Sequence, residues 1–232
     1  SHIAQDWLWW LALATIAMGA IGVLASKDLR KLTANLVIVS IGTLVALVAV
    51  QTVESSAAAI YYLVHSTLVT AALFLLAGLI GGQRGNTADL ISAGPSVLQP
   101  RLLGICFLVA GVAVIGMPPL SGFIAKVWLL ETTINLEYTM VFWPLYILAS
   151  LAILVSVAKA GSTVFWHQQG ETIENAEQTR VHPAQFAAII ILTASAPLLS
   201  IFAGPLSEYA HGAASQLHDV SSNINLILMG GK

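Results

Sequence analysis

Six apolar stretches, each long enough to cross a bilayer, leave this chain few ways to fold. They cover residues 7–25, 32–53, 57–81, 101–135, 140–166 and 184–206, separated by short polar links. A bilayer core of about 30 Å needs roughly 20 apolar residues in a helix rising 1.5 Å per residue. The composition agrees: 57% of the 232 residues are hydrophobic and only 9% charged, where soluble domains carry roughly 25% charged residues. The sequence therefore predicts an all-α membrane protein with about six transmembrane helices. Residues 1–206 form the bundle, and 207–232 form a mixed, interfacial C-terminal tail.

The fourth stretch is the odd one. Its roughly 35 residues make about 52 Å of straight helix, far more than the hydrocarbon core. Gly116, Pro118, Pro119 and Gly122 fall near its middle. Proline removes a backbone donor and disfavours helix in the residue before it. Two half-helices joined by an unwound segment are expected, since no charged loop divides the halves as an ordinary hairpin would require. Unwound backbone at membrane depth is tolerated only against protein or a wet cavity. Such breaks carry the ion sites of many transporters.

Basic residues set the orientation. Lys27, Arg30, Lys31, Arg84, Arg101, Lys159 and Arg180 gather on one side of the predicted topology, counting flanking positions. The other side has only Lys232, among Asp6, Glu54, Glu131, Glu137, Glu208 and Asp219. The positive-inside rule places the basic connections in the cytoplasm and both ends of this chain outside. The aromatic cluster Trp7-Leu8-Trp9-Trp10 suits an outer interfacial belt.

Lys126 belongs to neither side. It lies about nine residues from the outer end of the broken unit, roughly 14 Å in, and an intramembrane cation marks a functional site by default. His65 lies about eight residues into the third span from the same side, roughly 12 Å deep. Thr43 and Ser150 fall at similar depth, and Ser66, Thr67 and Thr70 follow His65 in sequence. A lysine, a histidine and hydroxyls at one level suit proton transfer. Burial disfavours the charged form of lysine, while a nearby anion or water file restores it; histidine, with an unperturbed pKa near 6.5, is a natural relay.

Plainer readings stand beside these. His65 fits a packed, hydrogen-bonded histidine equally well, and serines and threonines in membrane helices commonly join helix to helix. Glu208 with His211, and His218 beside Asp219, are spaced too loosely for a metal set, so no metal site is expected. No phosphate-binding glycine loop, Cys-x-x-Cys pair or nucleophile elbow is present, and no cofactor is expected. The single cysteine, Cys106, excludes an intrachain disulfide. A net charge of −2 gives no basic field for nucleic acid. The opening Ser1-His2-Ile3-Ala4-Gln5-Asp6 lacks both Met and a basic segment, so it does not read as a signal peptide. A tag remnant or a part of a longer protein fits it.

At these residues the chain resembles the antiporter-like subunits shared by Mrp-type multisubunit cation/proton antiporters and respiratory complex I. Gly116-Met117-Pro118-Pro119-Leu120-Ser121-Gly122-Phe123-Ile124-Ala125-Lys126 is similar to their broken twelfth helix with its central lysine. Lys27-Asp28-Leu29-Arg30-Lys31-Leu32 resembles the start of their tenth helix, and Tyr61-Tyr62-Leu63-Val64-His65-Ser66-Thr67-Leu68 their eleventh. Within the family, Tyr62-Leu63-Val64-His65-Ser66-Thr67 and Lys159-Ala160-Gly161-Ser162-Thr163-Val164-Phe165-Trp166 look most like the Mrp D-type branch. Thr70 stands where complex I relatives usually carry a lysine.

The resemblance implies the second inverted repeat of that fold plus a final helix, hence a C-terminal half. It implies a proton path along the membrane midplane through Lys126, in a subunit of a sodium- or potassium-exchanging complex in a bacterial inner membrane. Its partners would be the other subunits of that complex. An antiporter-like subunit of NADH–quinone oxidoreductase or a membrane hydrogenase is the alternative, and a purely structural subunit with no ion path is the second.

Overall fold

The computed structural model of the chain describes residues 2–134, 139–166 and 183–219. Its elements are α1 (His2–Ala25), α2 (Leu29–Val50), α3 (Val53–Gln83), a 3-10 turn (Gly85–Thr87), α4 (Pro100–Ile115), α5 (Ser121–Thr133), α6 (Thr139–Trp166), α7 (Pro183–Ile201) and α8 (Ala203–His218). No strand occurs among the described residues. Five of these helices, α1, α2, α3, α6 and α7, are long and apolar enough to cross a membrane.

Local chemistry sets the helix ends. Asp28 caps α2, its carboxylate accepting from the Lys31 N–H at 2.7 Å. α2 stops at Gln51, which adopts the left-handed conformation (φ 58°). Thr52 then caps α3 through a reciprocal capping box with Ser55. The boundary expected at residues 53–57 therefore falls earlier, and α3 gains four residues at its start. The first helix likewise begins before residue 7, and the last span ends at Ile201 rather than 206.

The fourth stretch is two helices. α4 has 16 residues and α5 has 13, about 24 and 20 Å, so neither half spans the hydrocarbon alone.

α1 and α2 meet backbone to backbone. A Cβ at Gly42 would lie 2.9 Å from Ile16 N, and one at Gly19 would lie 2.8 Å from Val39 N. Small residues permit this approach where the bilayer supplies no hydrophobic drive between helices. α3 is the hub, packed against α2, α4, α5, α7 and α8. α6 closes the other side on α1 and α4, where Trp9 meets Phe142 edge-on at 5.5 Å. Trp7 and Trp10 are exposed, as an aromatic belt requires, but Trp9 is buried in the core.

Two regions depart from expectation. The stretch from Ser207, expected as a tail, continues a helix, α8, which seats Ala210 and Ala214 against Ala57 of α3. Arg84, counted above as a membrane-flanking charge, is 1% exposed. Its guanidinium donates to the carbonyls of Ser92 (2.6 Å), Leu90 (2.7 Å), Pro95 (3.4 Å) and Ala88 (3.5 Å). It thereby folds the α3–α4 connection around itself. That connection docks on the start of α2, where Asp89 O accepts from Leu29 N and Asp89 Oδ2 from Arg30 N. Asn135, Glu137, Arg180, Lys232 and the tail beyond Asp219 lie outside the described residues.

Candidate functional site

The site is built on the break between α4 and α5. Gly116 ends α4 in the left-handed region (φ 81°), and its N–H bonds back to Val112 O and Ala113 O. A side chain at position 116 is excluded twice over. Left-handed backbone disfavours it, and its Cβ would lie 2.5 Å from Lys126 Cδ. Gly122, in the first turn of α5, lies so close to the last turn of α4 that a Cβ would sit 1.8 Å from Ala113 O. The two glycines let the half-helices overlap side by side and admit the lysine stem between them. Met117, Pro118 and Pro119 are exposed on the surface of this chain, and Ser200 of α7 donates to Pro119 O at 2.7 Å.

Lys126 turns back over this overlap. Its Nζ donates to Ile115 O at 2.7 Å and to Ser150 Oγ of α6 at 2.8 Å. Ile115 is the last residue of α4, so its carbonyl is one of those a helix leaves unpaired. The partial negative charge at a helix C-terminus favours a cation there. The ring of Tyr146, with its centroid 5.5 Å from Nζ, offers a second contact selective for the charged form. Among the described residues no carboxylate pairs with Lys126. Its ammonium is held by a carbonyl, a hydroxyl and a ring face.

His65 is 4% exposed, and its Nδ1 lies 2.8 Å from Ser121 Oγ, the first residue of α5. The histidine and the lysine thus touch the same half-helix at its start and its middle. Their hydrogen bonds go to different partners rather than to each other.

The predicted hydroxyls divide. Ser150 is on Lys126. Thr43 is fully buried and donates to Val39 O, beside the phenols of Tyr62 and Tyr146. Ser66 and Thr70 are buried but bond carbonyls of α3 itself, at Leu63, Ser66 and Thr67. Thr67 is exposed. The third-span hydroxyls therefore serve their own helix and do not join the lysine. No group of three His, Cys, Asp or Glu side chains suited to a metal occurs among the described residues.

Comparison with known proteins fixes the family. The family model described as NADH:quinone oxidoreductase/Mrp antiporter, transmembrane, matches residues 1–156. The chain belongs to this family. Two curated relatives are the D-type subunit of a probable K(+)/H(+) antiporter of Rhizobium meliloti, 32% identical, and that of a Na(+)/H(+) antiporter of Bacillus subtilis, 33% identical. Each match takes in 94% of this chain but 44% of the relative. The chain therefore spans somewhat under half the length of these relatives. Among solved structures, the Mrp complex of Dietzia matches with a TM-score of 0.75 at 21% identity, over 95% of this chain and 49% of that one. Respiratory complex I of Thermus thermophilus with bound NADH matches with a TM-score of 0.75 at 25% identity, over 92% and 44%. Family membership, together with the five helices long and apolar enough to cross a membrane, is consistent with a multi-pass membrane protein.

Sequence reasoning missed Ser121, Tyr146 and Tyr62 as site residues, and with them Ser40, whose Oγ accepts from the Tyr62 phenol at 3.3 Å. Helical spacing held the signal for three of them. Tyr146 is four residues before Ser150, Tyr62 three before His65, and Ser40 three before Thr43, so each shares a helix face with a residue already singled out. Ser121 carried no such signal, because its partner is on another helix.

Proposed function

We propose that this chain supplies one proton-conducting half of a D-type subunit of a multisubunit monovalent cation/proton antiporter. The carrying observation is the setting of Lys126: an ammonium held by Ile115 O and Ser150 Oγ at the break of a discontinuous helix, with no carboxylate on it among the described residues. A lysine locked to a carboxylate keeps its proton; one held by neutral acceptors is free to exchange it as water or another charge approaches. His65, bonded to Ser121 at the start of the same half-helix, is the next station. The names of the Rhizobium and Bacillus relatives support exchange of potassium or sodium for protons by the whole assembly.

The exposed break supports partners. Met117, Pro118 and Pro119 form unwound, exposed backbone, which the hydrocarbon does not tolerate unless protein or a wet cavity covers it. Other subunits, or the remaining length seen in the relatives, would cover this face. The setting is a bacterial inner membrane with both ends of this chain outside. Lys27, Arg30 and Lys31 at the start of α2 then face the cytoplasm.

A second reading, an antiporter-like subunit of an NADH–quinone oxidoreductase, is favoured by the complex I match. The proteins that co-purify separate the two, since the redox complex brings flavin and iron–sulfur subunits.

The test of the main reading is Lys126→Ala in the full-length protein, assayed for cation-driven pH-gradient dissipation in everted vesicles. Loss of exchange with normal assembly is expected. Normal coupling in the substituted vesicles would sink the mechanism.

A further inference from the structure

Lys126 has contacts on two sides, and only one of them is used by the proposed path. On one side are Ile115 O and Ser150 Oγ. On the other is Tyr146, whose ring lies under Nζ and stacks on Phe142 at 5.5 Å. Tyr146 is 3% exposed, and its phenol oxygen has no hydrogen-bond partner among the described residues. Leaving a buried hydroxyl unsatisfied costs about 1–3 kcal/mol, so this one invites an explanation.

Its surroundings are polar. The fully buried Thr43 hydroxyl of α2 stands beside both Tyr146 and Tyr62. Thr43 gives its own proton to Val39 O at 2.9 Å, which leaves its oxygen free to accept. Tyr62 donates to Ser40 Oγ at 3.3 Å. Ser40 is one turn from Thr43 toward the Leu29 end of α2. Four hydroxyls from α2, α3 and α6 thus gather beside the ring under Lys126. Sites lined by two to four polar groups are where buried water is held.

We propose that Tyr146 opens a second proton branch from Lys126, in which a bound water joins Tyr146 Oη to Thr43 and Tyr62 and the file continues to Ser40. The proposal rests on the reading of Lys126 as a proton carrier. The proton balance is simple. The ammonium gives one proton to a water bridging Nζ and Tyr146 Oη, each oxygen along the file takes one and passes one, and Ser40 hands it to water beyond the file. The lysine is left neutral, and no hydroxyl keeps a charge. From Tyr146 the branch runs to α2 and on toward its Leu29 end.

Tyr146→Phe separates the two ends of the residue, because it keeps the ring face and removes only the hydroxyl. In proteoliposomes holding the full-length assembly, proton flux should fall about tenfold. That is below the roughly 100- to 10,000-fold of a positioned proton-transfer group, because water can partly fill the gap. Thr43→Val should give a similar loss, and the double variant should be no slower than either single one, since both interrupt one file. Assembly and melting temperature should stay at the wild-type level. A high-resolution structure of the assembly should show an ordered water within hydrogen-bond distance of Tyr146 Oη and Thr43 Oγ1. Wild-type flux in Tyr146→Phe, multiplying losses in the double variant, or a dry site would each overturn the branch. The two readings fail differently. Flux surviving Lys126→Ala removes the carrier itself, whereas flux lost in Lys126→Ala but kept in Tyr146→Phe removes the branch alone.

Discussion

Gly122→Ala tests whether the overlap of the two half-helices sets the site. The added methyl would sit 1.8 Å from Ala113 O, 3.0 Å from Ala113 C and 3.1 Å from His65 Cε1. Ordinary contact begins near 3.4 Å, so α5 must part from α4 by about 1.6 Å. The nearest obstacle is backbone, which does not swing aside as the tip of a side chain does. Overpacking of this kind costs about 1–3 kcal/mol. The functional cost is larger. α5 carries both Ser121 and Lys126, and a 1.6 Å displacement would stretch the Lys126–Ile115 contact from 2.7 Å to about 4.3 Å. The flexible lysine stem recovers part of that distance, but the short Ser121 side chain has no such reach to His65. Misplacement of about 1 Å costs on the order of 100-fold in positioned chemistry. Exchange rates in vesicles should therefore fall by roughly that factor, with only a modest drop in the melting temperature of the solubilised protein. Wild-type exchange with alanine at 122 would refute the claim that this packing positions the lysine.

Other expectations follow from the α3–α4 connection and the start of α2. Arg84→Lys replaces a five-donor fork by a point charge, leaving carbonyls of the 84–99 connection unpaired. With charged hydrogen bonds worth about 1.5–3 kcal/mol each, a loss of about 2–4 kcal/mol is expected. It is checked by chemical denaturation and by faster proteolysis within that connection; unchanged stability would contradict the assignment. Burial of Asp28 pulls its carboxyl upward, but hydrogen bonds from the Lys31 side chain and backbone, and the charges of Lys31 and Arg30, outweigh it and hold the carboxyl below its usual 3.8. A depressed carboxylate stabilises the fold above its unfolded value, and that contribution is lost as pH falls through the folded one. Wild type should therefore exceed Asp28→Ala by about 1 kcal/mol at neutral pH. The gap should close below pH 3.8, and a gap independent of pH would count against the capping role.

The bundle was legible because bilayer thickness imposes one length on every apolar run, and the break because Gly116, Pro118 and Pro119 interrupt a run too long to be one helix. The α2–α3 boundary was obscured by hydropathy, which stays high across Gln51 and Thr52; the Thr52–Ser55 capping box marks it only once capping chemistry is considered. α8 was missed because its composition is mixed and its partner face on α3 is remote in sequence. In the site, Lys126 stood out as a charge in hydrocarbon, and Ser150 by depth. Ser66, Thr67 and Thr70 were drawn in by closeness to His65, yet depth alone does not say which way a helix face turns. The pairing of His65 with Ser121 depends on α3 packing against α5, a tertiary fact that no local pattern carries. Arg84 misled for the opposite reason, since a positive residue beside a span suggests a headgroup contact, and here it is spent on carbonyls.

The most direct test of the central claim is proton and cation flux in proteoliposomes containing the full-length assembly with Lys126→Gln. Glutamine keeps a hydrogen-bond donor for Ile115 O and Ser150 Oγ but cannot carry a proton through the membrane midplane. If Lys126 is the carrier, both fluxes should fall to the level of empty liposomes while the complex assembles normally. Proton flux coupled to cation flux at the wild-type rate in this variant would contradict the account.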